Sequence, residues 1–208
     1  NYFNSEQDVE DIFTTILGCE KAVIAPTMMG FFDWSALHCS NAGTFGEAYR
    51  KLEPAAIWDM DKRTSWNTHY KTIYLTNFLH ENQFRFKNIS QERIDFWLAQ
   101  ADFVKALMYF RLAQDWGEAV VAPSTEDASQ QAKSPINTIL TEAIQAAEAA
   151  LILPTFDKLT NAQGKNINSR QYASSGTVHT LLANIYAWMG GLYDKEEYWK
   201  KAEASASL

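Results

Sequence analysis

The residues of this chain that could carry out acid-base or metal chemistry are scattered, and none has the spacing of a catalytic motif. The four histidines show no HExxH or other metal-ligand spacing, and no glycine-rich loop follows a strand to bind phosphate. Asp59 and Asp61 are spaced like the start of a calcium loop, but Thr64 stands where an EF-hand requires glycine. No pair of carboxylates has a context that would separate two pKa values for acid-base catalysis. The sequence therefore predicts no metal, no cofactor and no enzymatic activity.

Aromatic side chains in the segment 26–63 are the strongest candidates for ligand contact. This is the longest stretch without helical periodicity, and an irregular segment of that length in a compact domain is either functional or wrongly assigned. A flat ring can stack on the apolar CH face of a sugar, and nearby carboxylates can bind the hydroxyl groups. The alternative is that the rings pack beneath the loop as a small satellite core. The ligand-binding candidates are Trp58 and Trp34, followed by Phe31, Asp33 and Asp59.

A long helix at residues 91–116 is the element that must organise the rest of the chain. Apolar residues recur there at steps of three and four, and further large side chains widen the stripe beyond what one neighbour could cover. Ser90 can cap its start, and Gly117 can end it by entering the left-handed conformation without a Cβ penalty. The pattern predicts a helix with neighbours on at least two sides.

Shorter helices are predicted on either side of this central one. The first runs from Glu6 to Val23 behind a capping box of Ser5 and Asp8, and the next is capped by Thr64. Its face carries Asn77, which is either a binding residue or a buried amide that satisfies backbone groups nearby.

The C-terminal third is predicted to contain three further helices. One opens at Ser134 with Pro135 in its first turn and stops at Pro154, and another is capped near Ser169 and closed by Gly190 and Gly191. The last helix opens on a capping box of Asp194 and Glu197. The final two helices, joined by a short turn, form a hairpin like that of a tetratricopeptide repeat.

Composition limits the classes of partner. The 208 residues carry a net charge of −7 with scattered Lys and Arg, which argues against nucleic acid. No apolar run approaches the roughly 18 residues needed to cross a bilayer, and the first residues are not a signal peptide. Cys19 and Cys39 are interpreted as free buried thiols, although an exported protein could pair them.

Several of these elements, in this order, resemble the SusD/RagB family of nutrient-binding lipoproteins of the Bacteroidetes outer membrane. The central helix carries Lys105-Ala106, where family members usually have Arg-Ala, and then Trp116-Gly117 ahead of a hydrophobic-Pro exit. In place of Gly117-Glu118, family members commonly have Gly-Asp or Gly-Gly. The stretch SPINTILTEAIQAAEAALILP resembles the family's helix that leads into a Leu-Pro stop. The stretch VHTLLANIYAWM resembles its A-x-x-L-L-A-x-x-Y element, with Val178 where small residues are usual.

The resemblance implies an all-α fold of tetratricopeptide-like hairpins around a long central helix, with a long aromatic-rich insertion. It implies that residues 1–208 are the N-terminal helical domain of a longer protein, exposed on the cell outer membrane through an upstream lipid anchor after removal of a signal. The implied function is non-catalytic binding of an oligosaccharide, or of a peptide, in partnership with a SusC-type TonB-dependent transporter. The alternative is a tetratricopeptide-like scaffold for peptides or proteins, which the long aromatic segment argues against.

Overall fold

Six α-helices and three short 3₁₀ helices account for most of the part of the chain that the structure describes. The structure, a computed structural model, describes residues 3–35, 65–127, 129–167 and 171–208, and for residues 24–35 it describes the backbone only. No β-strand occurs within these ranges, so the predicted all-α class is confirmed. The α-helices are α1 (Glu6–Ser35), α2 (Asn67–Asn82), α3 (Gln91–Trp116), α4 (Ile136–Ala149), α5 (Ser175–Tyr193) and α6 (Glu196–Ala206). The 3₁₀ helices are Gln83–Arg85, Ala150–Ile152 and Phe156–Lys158.

Helix α3 lies at the centre and packs against α1, α2 and α4, with a smaller contact to α5. Its buried side chains point to several sides, which confirms that one neighbour could not cover it. The predicted cap at its start is also confirmed, because the Ser90 side chain accepts a hydrogen bond from the Arg93 N–H at 3.3 Å. The fully buried residues include Trp97, Ala101, Ala106, Met108, Tyr109 and Leu112.

Gly117 ends α3 at positive φ, as predicted, but in a different conformation from the expected left-handed one. Its φ of 72° and ψ of −77° belong to a γ-turn, and the Glu118 N–H donates to the Trp116 carbonyl at 2.9 Å across it. The Gly117 N–H still closes the last helical turn on Ala113. The turn reverses the chain within one residue and sends it back along α2.

We predict that Gly117→Ala lowers the free energy of unfolding by about 1–3 kcal/mol, because this γ-turn is a region that residues with a Cβ rarely enter. A Cβ at Gly117 would meet no atom within 4 Å, so the cost comes from the backbone alone. Gly18→Ala is the matched control, since Gly18 lies in α1 with equally open space and should gain helix propensity. Equal midpoints of urea unfolding for Gly117→Ala and the parent chain would contradict this boundary.

Helix α1 is longer than the sequence predicts. The expected end was near Val23, with an irregular segment from Pro26, but the helix continues to Ser35. A proline removes one backbone hydrogen bond from a helix without preventing the turns that follow it, so Pro26 is not a terminator here. The predicted irregular segment therefore begins with a helical part. At the start of α1, the Asp8 carboxylate accepts from the Ser5 N–H at 2.9 Å, which is one of the two bonds of the predicted capping box, while the Asp8 N–H donates to the Ser5 carbonyl and not to its hydroxyl.

Helix α4 begins one residue later than expected. Pro135 occupies the capping position before Ile136, and Ser134 instead forms a bridge with Ala119 in which each N–H donates to the other's carbonyl. Both backbone polar groups of Ser134 are therefore hydrogen-bonded to the chain that leaves α3. The predicted cap of α2, Thr64, lies outside the described residues.

Helix α5 begins and ends at residues other than the predicted ones. Its capping box consists of Ser174 and Thr177, while the predicted cap Ser169 lies outside the described residues. The helix also runs through the glycine pair that was expected to close it and ends at Asp194, which has a φ of 50°. A residue in the left-handed conformation cannot also serve as the extended N-cap of the next helix, so the predicted capping box at Asp194 is wrong.

Gly190 has a packing role that explains why a glycine lies inside α5. An ideal Cβ at this position would lie 2.7 Å from a ring carbon of Trp199 on α6. The indole therefore packs directly on the backbone of α5, and Gly190 lets the two helices of the hairpin approach closely. Gly191, its neighbour, would meet nothing within 4 Å.

We predict that Gly190→Ala destabilises the hairpin, with a loss of about 1–3 kcal/mol in the free energy of unfolding from the steric overlap with Trp199. Gly191→Ala is the control, because it adds the same methyl group to the next residue of α5 without a contact and should be neutral or stabilising. Thermal unfolding followed by circular dichroism measures both. Equal melting temperatures for the two variants would show that the packing of Trp199 does not require a residue without a Cβ at position 190.

Candidate functional site

The residues predicted to bind ligand lie at or beyond the edge of the described structure. Trp58 and Asp59 are outside the described residues. Phe31, Asp33 and Trp34 lie in the last two turns of α1, where only the backbone is described. Their assembly into one site therefore stays a prediction.

An aromatic cluster of Trp66, His69, Tyr70 and Trp116 lies where the predicted ligand segment rejoins the described chain. The Trp66 ring meets Tyr70 edge-on at 5.6 Å between centroids and lies 6.1 Å from Trp116. His69 meets Trp116 edge-on at 5.1 Å. The Lys133 ammonium lies 5.3 Å from the centre of the Trp66 ring. The rings contact one another, so the cluster is packed on itself and does not offer a free stacking surface.

His69 is the chemically unusual member of the aromatic cluster. Its side chain is 2% exposed, and neither ring nitrogen has a hydrogen-bond partner among the described residues. The pKa of His69 is lowered to about 4, first because burial disfavours the charged imidazolium and second because Arg111 repels it. The side chain is therefore neutral at physiological pH, and its unpaired nitrogens reduce the stability of the fold.

We predict that His69 makes the chain less stable as the pH falls from about 6.5 to 4. In that window the unfolded chain takes up a proton on His69 and the folded chain does not, so the free energy of unfolding falls by up to about 3 kcal/mol. His69→Phe keeps a ring and removes this proton linkage. Urea unfolding of both proteins at a series of pH values should show the variant's advantage growing as the pH falls through this window. If the free energies of unfolding of the two proteins changed in parallel with pH, the assignment of His69 as buried and neutral would be contradicted.

The chain that leaves α3 is held along α2 by three polar side chains of that helix. Tyr70 accepts from the Val120 N–H at 2.7 Å and donates to the Val120 carbonyl at 2.9 Å. One residue before the end of α2, the Glu81 carboxylate accepts from both the hydroxyl and the N–H of Thr125, which lowers the pKa of Glu81. Tyr70 and Glu81 thus fix both ends of the exit segment 119–125.

Asn77 holds the middle of the exit segment. Its amide nitrogen donates to the Ala122 carbonyl at 2.8 Å, and its amide oxygen accepts from the Lys105 ammonium at 2.8 Å. Tyr109 of α3 accepts from the Ala122 N–H at 3.0 Å. Of the two interpretations left open for Asn77, the structure supports the buried amide that satisfies backbone groups, because both ends of the amide are already bonded.

A second polar network joins the start of α1 to α3. One oxygen of Glu6 accepts from Arg93 at 2.6 Å and from the Trp97 indole at 2.9 Å. One turn along, Glu10 accepts from the Tyr172 hydroxyl at 2.6 Å. Arg93 continues to the hydroxyl and carbonyl of Thr160. These bonds fix the loop between α4 and α5 against the helices, so that part of the surface is rigid.

An open depression of about 530 Å³ lies beside this rigid loop. The sequence analysis did not identify it, because its residues come from a 3₁₀ helix, from the residues just before α5 and from the first turns of α5. The single sequence signal was the aromatic residue Phe156, two residues after the Leu-Pro stop. Its lining residues are Phe156, Tyr172, Ser174, Gly176, Thr177 and Thr180.

The described ranges hold no group of three or more His, Cys, Asp or Glu side chains that could bind a metal ion. None of the helices described here is long and apolar enough to span a bilayer. Cys19 forms no disulfide with a described residue, and Cys39 lies outside the described part of the chain, so the possible pairing of the two stays untested.

The sequence of residues 8–189 matches a family model described as SusD-like, starch-binding and associating with the outer membrane. The chain belongs to the SusD-like family. The match extends from α1 into α5, and the resemblance inferred from the sequence is confirmed. Among curated proteins, no match to the chain is found.

Solved structures of SusD-like proteins share the fold. A SusD homolog from Bacteroides thetaiotaomicron is 19% identical with a TM-score of 0.72, and the match covers 99% of this chain and 40% of that one. A laminarin-binding SusD-like protein is 15% identical with a TM-score of 0.75, over 98% of this chain and 43% of that one. A SusD superfamily protein from B. thetaiotaomicron, 17% identical, has a TM-score of 0.74 over 94% and 46% of the two chains. The SusD-like chain described here thus spans less than half the length of these relatives.

Proposed function

We propose that this chain binds a glycan without transforming it, as the N-terminal helical domain of a longer SusD-like protein. The observation that carries the proposal is the family match over residues 8–189, whose description is starch-binding. One structural neighbour is described as laminarin-binding, which supports a glucan as the class of ligand. A peptide is the other class of cargo that the sequence left open.

The contacts within the helical frame support a proposal in which the helices act as a scaffold and the segment 26–63 binds the ligand. Polar side chains of this frame are already bonded within the protein, as the contacts of Tyr70, Asn77 and Tyr109 show. They hold backbone in place and have little capacity left for a sugar. The first candidates for ligand contact are therefore the residues of the 26–63 segment, led by Trp58 and Trp34 and followed by Phe31, Asp33 and Asp59.

The setting of the binding protein is part of the same proposal. We place it on the surface of the cell outer membrane, held there by a lipid anchor upstream of this chain and partnered with a SusC-type TonB-dependent transporter. The association with the outer membrane in the family description supports this placement. Bound glycan would then be passed to the transporter, and no chemical step is required of the binding protein.

We predict that Trp58→Ala weakens the binding of starch or laminarin oligosaccharides by about 1–3 kcal/mol, by analogy with bases that stack on aromatic platforms. The melting temperature should stay nearly unchanged, because a ring that stacks on ligand contributes little to the core. Phe84→Ala is a matched control, since this ring is 77% exposed and lies outside the segment 26–63. Isothermal titration calorimetry with thermal unfolding measures both quantities.

Two results would contradict the proposal in different ways. Lost stability with intact binding in Trp58→Ala would place Trp58 in a satellite core. Release of reducing ends from the oligosaccharide by the purified chain would show that the protein is an enzyme.

The scaffold alternative is favoured by one feature, the exposed apolar side chains of the α5–α6 hairpin. Trp188 is 40% exposed and Trp199 is 49% exposed. Tyr198 is more buried and packs against Tyr193 at 5.9 Å between ring centroids. A scaffold would bind peptides through this hairpin, so peptide binding that Trp199→Ala removes and Trp58→Ala leaves intact would favour that function.

A further inference from the structure

The depression beside α5 has the composition of a site for a neutral ligand. Among the described residues that line it, none is charged: Phe156 and Tyr172 are aromatic, Ser174, Thr177 and Thr180 carry aliphatic hydroxyl groups, and Gly176 has no side chain. Its volume of about 530 Å³ lies within the range of roughly 300–1,000 Å³ that is usual for small-molecule sites. An uncharged lining of this kind disfavours anions and cations and suits a polyhydroxylated ligand.

The aromatic floor of the depression is held rigidly. The ring of Tyr172 meets Phe13 edge-on at 5.5 Å and Trp97 at 5.7 Å between centroids, and its hydroxyl donates to Glu10 at 2.6 Å. The neighbouring residue, Ala173, exchanges two hydrogen bonds with the Gln100 side chain, at 2.8 and 2.9 Å. A floor fixed in this way needs little reordering when a ligand binds.

Phe156 offers the free ring that the aromatic cluster at Trp66 lacks. It stands on the 3₁₀ helix Phe156–Lys158, is 44% exposed and has no aromatic partner among the described residues. Across from it, the first turn of α5 is joined to the same loop by the Ser175 N–H, which donates to the Pro154 carbonyl at 3.0 Å. The ring and the helix therefore keep a fixed separation.

Hydrogen-bonding groups of α5 line the same depression as Phe156. Thr180 donates its hydroxyl proton to the Gly176 carbonyl at 2.8 Å, so its oxygen keeps the capacity to accept a bond from a ligand hydroxyl. The Gly176 N–H lies in the first turn of α5, before intrahelical bonding begins, and donates to no described acceptor. Gly176 has no side chain to cover this N–H, and an added Cβ would meet only the Ser174 hydroxyl oxygen at 3.9 Å.

We propose that this depression is a second carbohydrate subsite, in which one neutral sugar ring stacks its CH face on Phe156 and directs hydroxyl groups at Gly176 and Thr180. The proposal rests on the proposed function in that the ligand is a glycan. It does not depend on the residues of the 26–63 segment, because the lining comes from a separate part of the chain. A glycan with several sugar units could occupy both places, or each could be filled alone.

The test is a titration of the ¹⁵N-labelled 208-residue chain with starch and laminarin oligosaccharides, with the amide signals of Gly176 and Thr180 as local reporters. Phe156→Ala should raise the dissociation constant obtained from these two amide signals by about tenfold or more, the range expected for loss of a stacking ring. Gly176→Leu adds a side chain at the depression, where its Cβ meets only the Ser174 hydroxyl oxygen at 3.9 Å, and should abolish the response of Thr180. Phe84→Ala, an exposed phenylalanine on another 3₁₀ helix, should leave it unchanged.

Titration of the Trp34→Ala/Trp58→Ala chain separates this inference from the proposed function. A saturable shift at Gly176 that survives in this chain and disappears with Phe156→Ala supports the subsite. An unmoved Gly176 signal in a parent chain that binds through Trp58 overturns the subsite and leaves the proposed function standing. If none of these oligosaccharides binds at either place, both the subsite and the proposed function are contradicted. If the Gly176 signal shifts only at sugar concentrations that also shift the signals of exposed amides elsewhere, the binding is non-specific and the subsite is overturned.

Discussion

The burial of α3 on almost every side is the constraint on which the rest of the structure depends. A helix whose apolar residues extend around its circumference cannot remain in water, and it must be enclosed by other elements. Here α1, α2 and α4 enclose it, and burying side chains as large as Trp97, Tyr109 and Met108 stabilises that arrangement. The connections between these helices are consequently displaced to the surface, where ligand-binding residues are usually found.

The polar residues of α3 and its neighbours act mainly on the protein itself. Arg93 and Trp97 hold the start of α1, Gln100 holds the backbone before α5, and Lys105 orients Asn77 toward the exit segment. These bonds compensate for the cost of burying polar groups inside a helical frame. His69 differs from these side chains, since neither of its ring nitrogens has a hydrogen-bond partner within the described part of the chain. A frame of this kind supplies rigidity, and recognition depends on the residues that it carries at its edges.

Features encoded by neighbouring residues could be predicted from the sequence. The periodicity of residues 91–116 predicted α3, Ser90 predicted its cap, and Gly117 predicted positive φ at its end. The γ-turn at Gly117 could not be predicted, because glycine permits several conformations and tertiary contacts select among them. Gly190 was interpreted as a helix stop for a similar reason, since its contact with Trp199 depends on how two helices pack. The depression at Phe156 combines residues separated along the chain, which periodicity does not detect, and the candidates Trp58 and Asp59 stay predictions.

Calorimetric titration with glycans of increasing length, followed by chromatography of the recovered sugar, tests the central claim most directly. Binding by aromatic rings on a rigid frame predicts a saturable heat of binding, with an affinity that rises with the number of sugar units until the sites are filled. It also predicts that the recovered glycan keeps its original length. The absence of heat with every starch and laminarin oligosaccharide tested, or recovery of shortened chains, would contradict a non-catalytic glycan-binding domain.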